Sequence, residues 1–167
     1  MNTREQIEKT LNSKGYKYFT DGKEKGYDVN IIGIRNSETK DKITNRFDDL
    51  ITISYNDEDG NWQYHEYRGS HKLGLHQGKY EALRQKKPVK VYRDKNKDGD
   101  YDLLEENVHE GIFGINIHRA TRHKGKKSYQ VDKWSAGCQV IASNDDWHKF
   151  LGICKKAADI WGNSFTY

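Results

Sequence analysis

"GIFGINIH", Gly111 to His118, is the clearest strand in the chain, and its reading decides the fold. The large apolar residues Phe113, Ile115 and Ile117 fall on odd positions, and Ile112, Gly114, Asn116 and His118 on even ones. Period-two alternation sends the odd set to one face and puts Asn116 and His118 together on the other. A strand of this kind predicts a sheet with an amide and an imidazole side by side on one face.

Working outward, "PVKVYR" reads as a strand with the only proline, Pro88, at its entrance. "DLITISY" and "WQYHEYRG" read as two strands joined by "NDEDGN", where Asp59-Gly60 is a hairpin signal. "YDVNIIGIRN" is a further strand rich in β-branched residues, and "KYEALRQ" suggests one or two helical turns. "NTREQIEKTLNSKGYKYF" predicts an opening helix: Thr3 and Gln6 form a capping-box pair, Ile7 and Leu11 share a face, and Gly15 suits the C-terminal stop. "DDWHKFLGICKKAADIWG" predicts the longest helix, with Trp147, Phe150, Leu151, Cys154, Ala157, Ala158 and Trp161 in one apolar stripe. Ser143 or Asn144 can cap that helix and Gly162 can end it. The expected fold class is α+β, mainly β: an antiparallel sandwich or sheet core with an N-terminal and a C-terminal helix, in a single domain over 1–167.

The composition fits a folded domain with a very polar surface. Of 167 residues, 34% are hydrophobic and 32% charged, but 12% are aromatic, which a disordered chain would lack. The net charge of +4, from 29 basic and 25 acidic residues, is too weak to argue for nucleic acid as a partner. It suits an anionic polymer or a substrate bearing carboxylates, and solubility alone also accounts for it. Two cysteines make no disulfide framework. No N-terminal apolar stretch resembles a signal peptide and no run is long enough to span a bilayer, so synthesis in the cytoplasm and no membrane partner are expected.

The two cysteines differ in their surroundings. Cys154 sits in the helical stripe, as a small core residue does. Cys138 follows Ser135-Ala136-Gly137, where the backbone can turn sharply and aim successive N–H groups at one point, as an oxyanion requires. A cysteine nucleophile also needs a base or cation to favour its thiolate. Of seven histidines, His118 suits this best, because it ends a strong strand and the following segment leads back to Cys138. Taken singly, any of these histidines reads equally as an ordinary surface or satisfied residue.

Together, "IHRATRHKGKKSYQVDKWSAGC" resembles the active-site signature of the L,D-transpeptidase catalytic domain of the YkuD type: an Ile-His element, a spacer, then Ser/Thr-x-Gly-Cys. Sixteen residues, positions 119 to 134, separate His118 from Ser135. The resemblance covers roughly Val89 to Ile141, and the chain is also similar to phage-encoded proteins with "FGINIH" and "WSAGCQV" elements. It implies a catalytic region over 71–167, preceded by a helix and strands of unassigned role over 1–70. It implies Cys138 as nucleophile and His118 as base, with Ser135 and Gly137 completing the catalytic set. Asn116, Arg119, Arg122, Ala136, Gln139 and His76 are the candidate substrate contacts. Three positions depart from the pattern: Ala136 where His is frequent, Val140 where Arg is common, and Arg119 where Gly or Ser usually follows the histidine. Lys124, Lys126 and Lys127, with Arg119 and Arg122, can supply the missing cation or simply form a solvated basic loop.

The implied activity is a cysteine-dependent peptidoglycan peptidase or transpeptidase that needs no cofactor and acts on stem or cross-link peptides. Hydrolysis is favoured, as in a phage lytic factor reaching the wall after release, or as a virion-associated protein. Bacterial peptidoglycan is the expected partner and a monomer the expected state. The alternative is a non-catalytic structural or wall-binding protein with a decayed site, which Ala136 and Val140 favour.

A second signal is "DKNKDGDYDLLE", Asp94 to Glu105, which matches the twelve-position pattern of a calcium loop. Asp94, Asn96, Asp98, Asp102 and Glu105 fill ligand positions and Gly99 the sharp turn. The strand character of "PVKVYR" argues against a helix–loop–helix frame, and Asp, Asn and Gly also make ordinary acidic turns. A bound Ca²⁺ would brace the loop. A zinc peptidase ranks below both readings because the chain has no HExxH.

Overall fold

Helix α1, Arg4–Ser13, forms where the sequence offers a stop at each end. At its start the Thr3 side chain accepts from the Gln6 amide, and the Gln6 side chain accepts from the Thr3 amide. At its end Gly15 takes φ +73°, the Gly15 amide donates to Asn12, and the Tyr16 amide donates to Leu11. This Schellman arrangement satisfies the last carbonyls. The computed structural model describes residues 2–20, 25–36, 38, 44–70, 81–92, 103–131 and 138–167.

Among the described residues eight strands follow: β1 Asn30–Ile34, β2 Asp49–Asn56, β3 Trp62–Ser70, β4 Leu83–Arg84, β5 Val89–Tyr92, β6 Val108–Gly111, β7 Asn116–Arg119 and β8 Gln139–Ile141. Helix α2, Asn144–Trp161, comes last. Six strands form one sheet in the order β1-β2-β3-β8-β7-β4, and β5 pairs with β6 in a second. The fold is therefore mainly β, α+β, with a helix towards each end, as the sequence signals predict. The main sheet is mixed: β4 with β7 and β3 with β8 are antiparallel, whereas β7 with β8 is parallel.

Two expected elements differ. "KYEALRQ" contributes strand β4 rather than a helix, because Leu83 and Arg84 pair with Ile117 and Asn116. "GIFGINIH" is split between β6 and β7. Gly114 adopts φ +71°, a left-handed conformation that interrupts a strand, and Ile112 is left 66% exposed.

The contacts group the chain into two units. The first comprises Met1–Ile34, Ile51–Tyr67 and His148–Tyr167. It buries Ile7, Tyr18 and Tyr64, with Leu11, Ile32 and Trp62 packed against them. It also holds a run of rings: Tyr27 stacks on Tyr55 at 4.8 Å, His65 lies between Tyr55 and Tyr67, and Phe150 meets Tyr67 edge-on. The Lys156 ammonium lies 4.4 Å from the Tyr27 ring centroid and donates to the Tyr27 hydroxyl and to Glu58. The expected α2 stripe is buried from Trp147 through Ala157, but Trp161 is 42% exposed. Its indole N–H donates to Gly26 and Lys25 lies over its ring. The second unit comprises Arg35–Leu50 and Arg68–Trp147, with a core of Phe47, Ala120, Val131, Cys138, Val140 and Ala142.

Gly26 lies hard against neighbouring backbone. It takes φ +66°, and an added Cβ would lie 2.7 Å from the Asp57 carbonyl group. Gly15 has a similar φ, +73°, with open space around it. Gly15→Ala should therefore cost about 1–2 kcal/mol, and Gly26→Ala about 2–5 kcal/mol, in urea unfolding. Equal costs would contradict this packing.

Burial raises the Tyr55 and Tyr64 hydroxyls from 10.0 to about 12, with Tyr27 and Glu66 adding to the respective effects. Burial also raises the Cys154 thiol from 9.0 to about 12. Each group holds its proton more tightly folded than unfolded, so its contribution is complete below its unfolded pKa and is lost as pH rises through the folded one. Urea midpoints should hold from pH 7 to about 9 and fall steadily towards pH 12. A midpoint that rises across that window would contradict these environments.

Candidate functional site

The site is built on the two parallel strands. Register pairs Ile117 with Gln139, His118 with Val140 and Arg119 with Ile141. Parallel neighbours cannot be joined by a tight turn, so the segment between them makes a crossover. Alternation then puts His118, Ala120, Val140 and Ala142 on one face, and Cys138, two residues before Val140, on the same face. The buried cluster of Cys138, Val140, Ala142 and Ala120 agrees with that parity. Extending the register sets Cys138 level with Asn116 and diagonal to His118.

The imidazole is held in one tautomer. His118 Nδ1 lies 2.9 Å from the Arg119 carbonyl oxygen. A carbonyl only accepts, so Nδ1 carries a hydrogen, and in the neutral ring Nε2 is the basic nitrogen. His118 is 2% exposed, an unusual depth for a group that can act as a base.

Cys138 is 5% exposed and Cys154 1%, so burial does not separate the two cysteines as their sequence contexts suggest. Their neighbours do. Cys154 lies in the apolar stripe of α2, whereas Cys138 shares a face with His118 and its Sγ donates to the Gly114 carbonyl at 3.9 Å.

Two residues beside this row carry no sequence signal. Gln85 follows β4, and its amide N–H donates to the Ile115 carbonyl at 3.0 Å. Its side-chain Oε1 accepts from the amides of Phe113 at 2.9 Å and Ile115 at 3.3 Å, and its Nε2 donates to the carbonyls of Gly111 and Lys87. One side chain thus holds the segment between β6 and β7. Arg84 pairs with Asn116, so Arg84, Asn116 and Cys138 form one row on the same face, and Arg84 is exposed.

The other candidates distribute unevenly. Asn116 is half-buried on the His118 face, as expected. Arg119 and Gln139 alternate to the opposite face. Arg122 is exposed in the basic loop after β7, together with Lys124, Lys126 and Lys127. That loop is tied to the start of α2: Asn144 Nδ2 donates to the Thr121 carbonyl, the Asn144 amide to Lys126, and the Gly125 amide to Asp145. His76, Ser135, Ala136 and Gly137 lie outside the described residues.

Of the calcium-type loop, Asp94, Asn96, Asp98 and Asp102 also lie outside the described residues. Glu105 opens a 3-10 turn, Glu105–Asn107, and is exposed. The loop is flanked by β5 and β6, paired from Val89–Gly111 to Tyr92–Val108, so the frame is a hairpin. Among the described residues no three His, Cys, Asp or Glu side chains are grouped to hold a metal ion. A cleft of about 100 Å³ in the first unit is lined by Phe19, Tyr27, Ala157, Trp161 and Phe165, and neither His118 nor Cys138 borders it.

No protein-family model, curated protein or solved structure matches the chain.

At pH 8, iodoacetamide should label Cys138 at least roughly tenfold faster than Cys154, as followed by peptide mass spectrometry. His118→Ala should remove most of that advantage. Equal, slow labelling of both thiols would identify Cys138 as an inert core residue.

Proposed function

We propose that the protein is a cysteine-dependent peptidase acting on the stem or cross-link peptides of bacterial peptidoglycan. One observation carries this reading: the register of β7 and β8 continues to Cys138, just before β8, on the parity of His118, and the Arg119 carbonyl sets the basic nitrogen of the His118 ring. The order and spacing of "IHR" and "SAGC", which resemble the L,D-transpeptidase signature, supply the substrate class.

In the proposed reaction His118 Nε2 takes the thiol proton, and Cys138 sulfur attacks the peptide carbonyl carbon. The resemblance implies the backbone N–H groups of Gly137 and Cys138, with Ser135 in support, as donors to the tetrahedral oxyanion. Such donors are worth about 3–4 kcal/mol each. Collapse expels the amine, which takes the proton from His118 and leaves a thioester. Water, activated by the same imidazole, then releases the acid; a second amine in its place would complete a transpeptidation. Asn116 and Arg84 are the polar groups in the row of the nucleophile, and Arg84 offers the positive charge that a stem carboxylate requires.

The burial of Cys138 among Phe47, Val131 and Val140 favours a second reading, a wall-binding or structural protein with a decayed site. Turnover of purified muropeptides separates the two. Wild type should cleave, and Cys138→Ala should lower the rate by roughly 10³-fold or more. Equal cleavage by both proteins would rule out the cysteine mechanism, whereas muropeptide binding without cleavage by either would establish the second reading.

A further inference from the structure

Gly114 and Ile115 share one peptide group. In a trans peptide the N–H and the C=O point in opposite directions. The Ile115 N–H is held by Gln85 Oε1 at 3.3 Å, and its partner, the Gly114 carbonyl, therefore points the other way, where it meets Cys138 Sγ at 3.9 Å. The Ile115 carbonyl is held as well, by the Gln85 amide at 3.0 Å. The group that faces the sulfur is thus chosen by a residue that does not touch it.

The choice matters chemically. A carbonyl oxygen accepts the thiol proton and opposes negative charge on sulfur, so this orientation favours the thiol over the thiolate. Turning the Gly114–Ile115 peptide over would present an N–H to the sulfur, a donor that stabilises a thiolate or an oxyanion. Gly114 is suited to such a turn, with φ +71° and open space where a Cβ would lie.

We propose that Gln85 is a positioning residue that sets the reactivity of Cys138, acting through the Gly114–Ile115 peptide. Its contact with Ile115 keeps the Gly114 carbonyl turned to the sulfur, and release of that contact frees the peptide to turn. The proposal rests on Cys138 as the nucleophile of the proposed peptidase, but thiol alkylation needs no turnover. A protein that cleaves nothing can therefore still pass or fail the test.

Two variants separate orientation from packing. Gln85→Met keeps the volume and removes the acceptor; Gln85→Glu keeps the acceptor and removes the donors. The rate of Cys138 alkylation is measured from pH 6 to 10 by peptide mass spectrometry, with Cys154 as the internal control. Gln85→Met should react roughly three- to tenfold faster near neutrality, the size expected of one weak hydrogen bond, and its pH midpoint should move lower. Gln85→Glu should show no acceleration. Equal acceleration in both variants, or faster labelling at every pH with an unmoved midpoint, would reduce Gln85 to a packing role and overturn the proposal. In the wild type, hydrogen exchange of the Ile115 amide should be slow. Exchange as fast as that of the exposed Ile112 would also overturn it.

Discussion

The pairing of β7 with β8 is the constraint on which the site depends. His118 lies opposite Val140, and Cys138 follows the same parity. A slip of one residue would send His118 and Cys138 to opposite faces, because side chains alternate with period two. The apolar side chains guard against that slip. Val140, Ala142, Ala120 and Val131 are almost wholly buried, and Phe47 closes over the same face. Ile117 and Ile141 are buried on the opposite face, so both faces of this strand pair are packed and the register is held from two sides.

The same packing shapes the electrostatics. Both reactive groups lie below the surface, where a neighbouring dipole acts with little solvent screening. Two backbone carbonyls then carry unusual weight. The Arg119 carbonyl fixes which imidazole nitrogen is basic, and the Gly114 carbonyl faces the thiol. The first leaves Nε2 as the basic nitrogen of the neutral ring, while the second accepts from the Cys138 thiol. Two contacts converge on the short segment between β6 and β7, where Gln85 holds the Ile115 amide and the Gly114 carbonyl turns to the sulfur.

Local signals were legible where they act within a few residues. The capping box of Thr3 and Gln6, the stop at Gly15, the Asp59-Gly60 hairpin and the α2 stripe from Trp147 to Ala157 form as their residue types imply. Asn116 and His118 share a face because alternation is a property of the strand itself. What was not legible depends on distant partners. "KYEALRQ" carries helical residues, but Leu83 and Arg84 are drawn into the sheet by β7. The break at Gly114 depends on Gln85, twenty-nine positions earlier, which satisfies the amides that a continuous strand would have paired. Trp161 continues the stripe by spacing, yet its indole N–H is taken by Gly26, and the ring stays at the surface. The parallel sense of β7 and β8 is likewise a matter of where the crossover returns, which strand patterns do not encode.

The central claim is that Cys138 itself carries the acyl group during peptide cleavage. Its most direct test is the mass of Cys138-containing peptides from reactions with purified muropeptides quenched within milliseconds to seconds. A stem-peptide adduct on Cys138, formed at the rate of the first turnover and lost as product appears, is the predicted result. Undiminished cleavage by protein whose Cys138 has been fully alkylated beforehand would contradict the account.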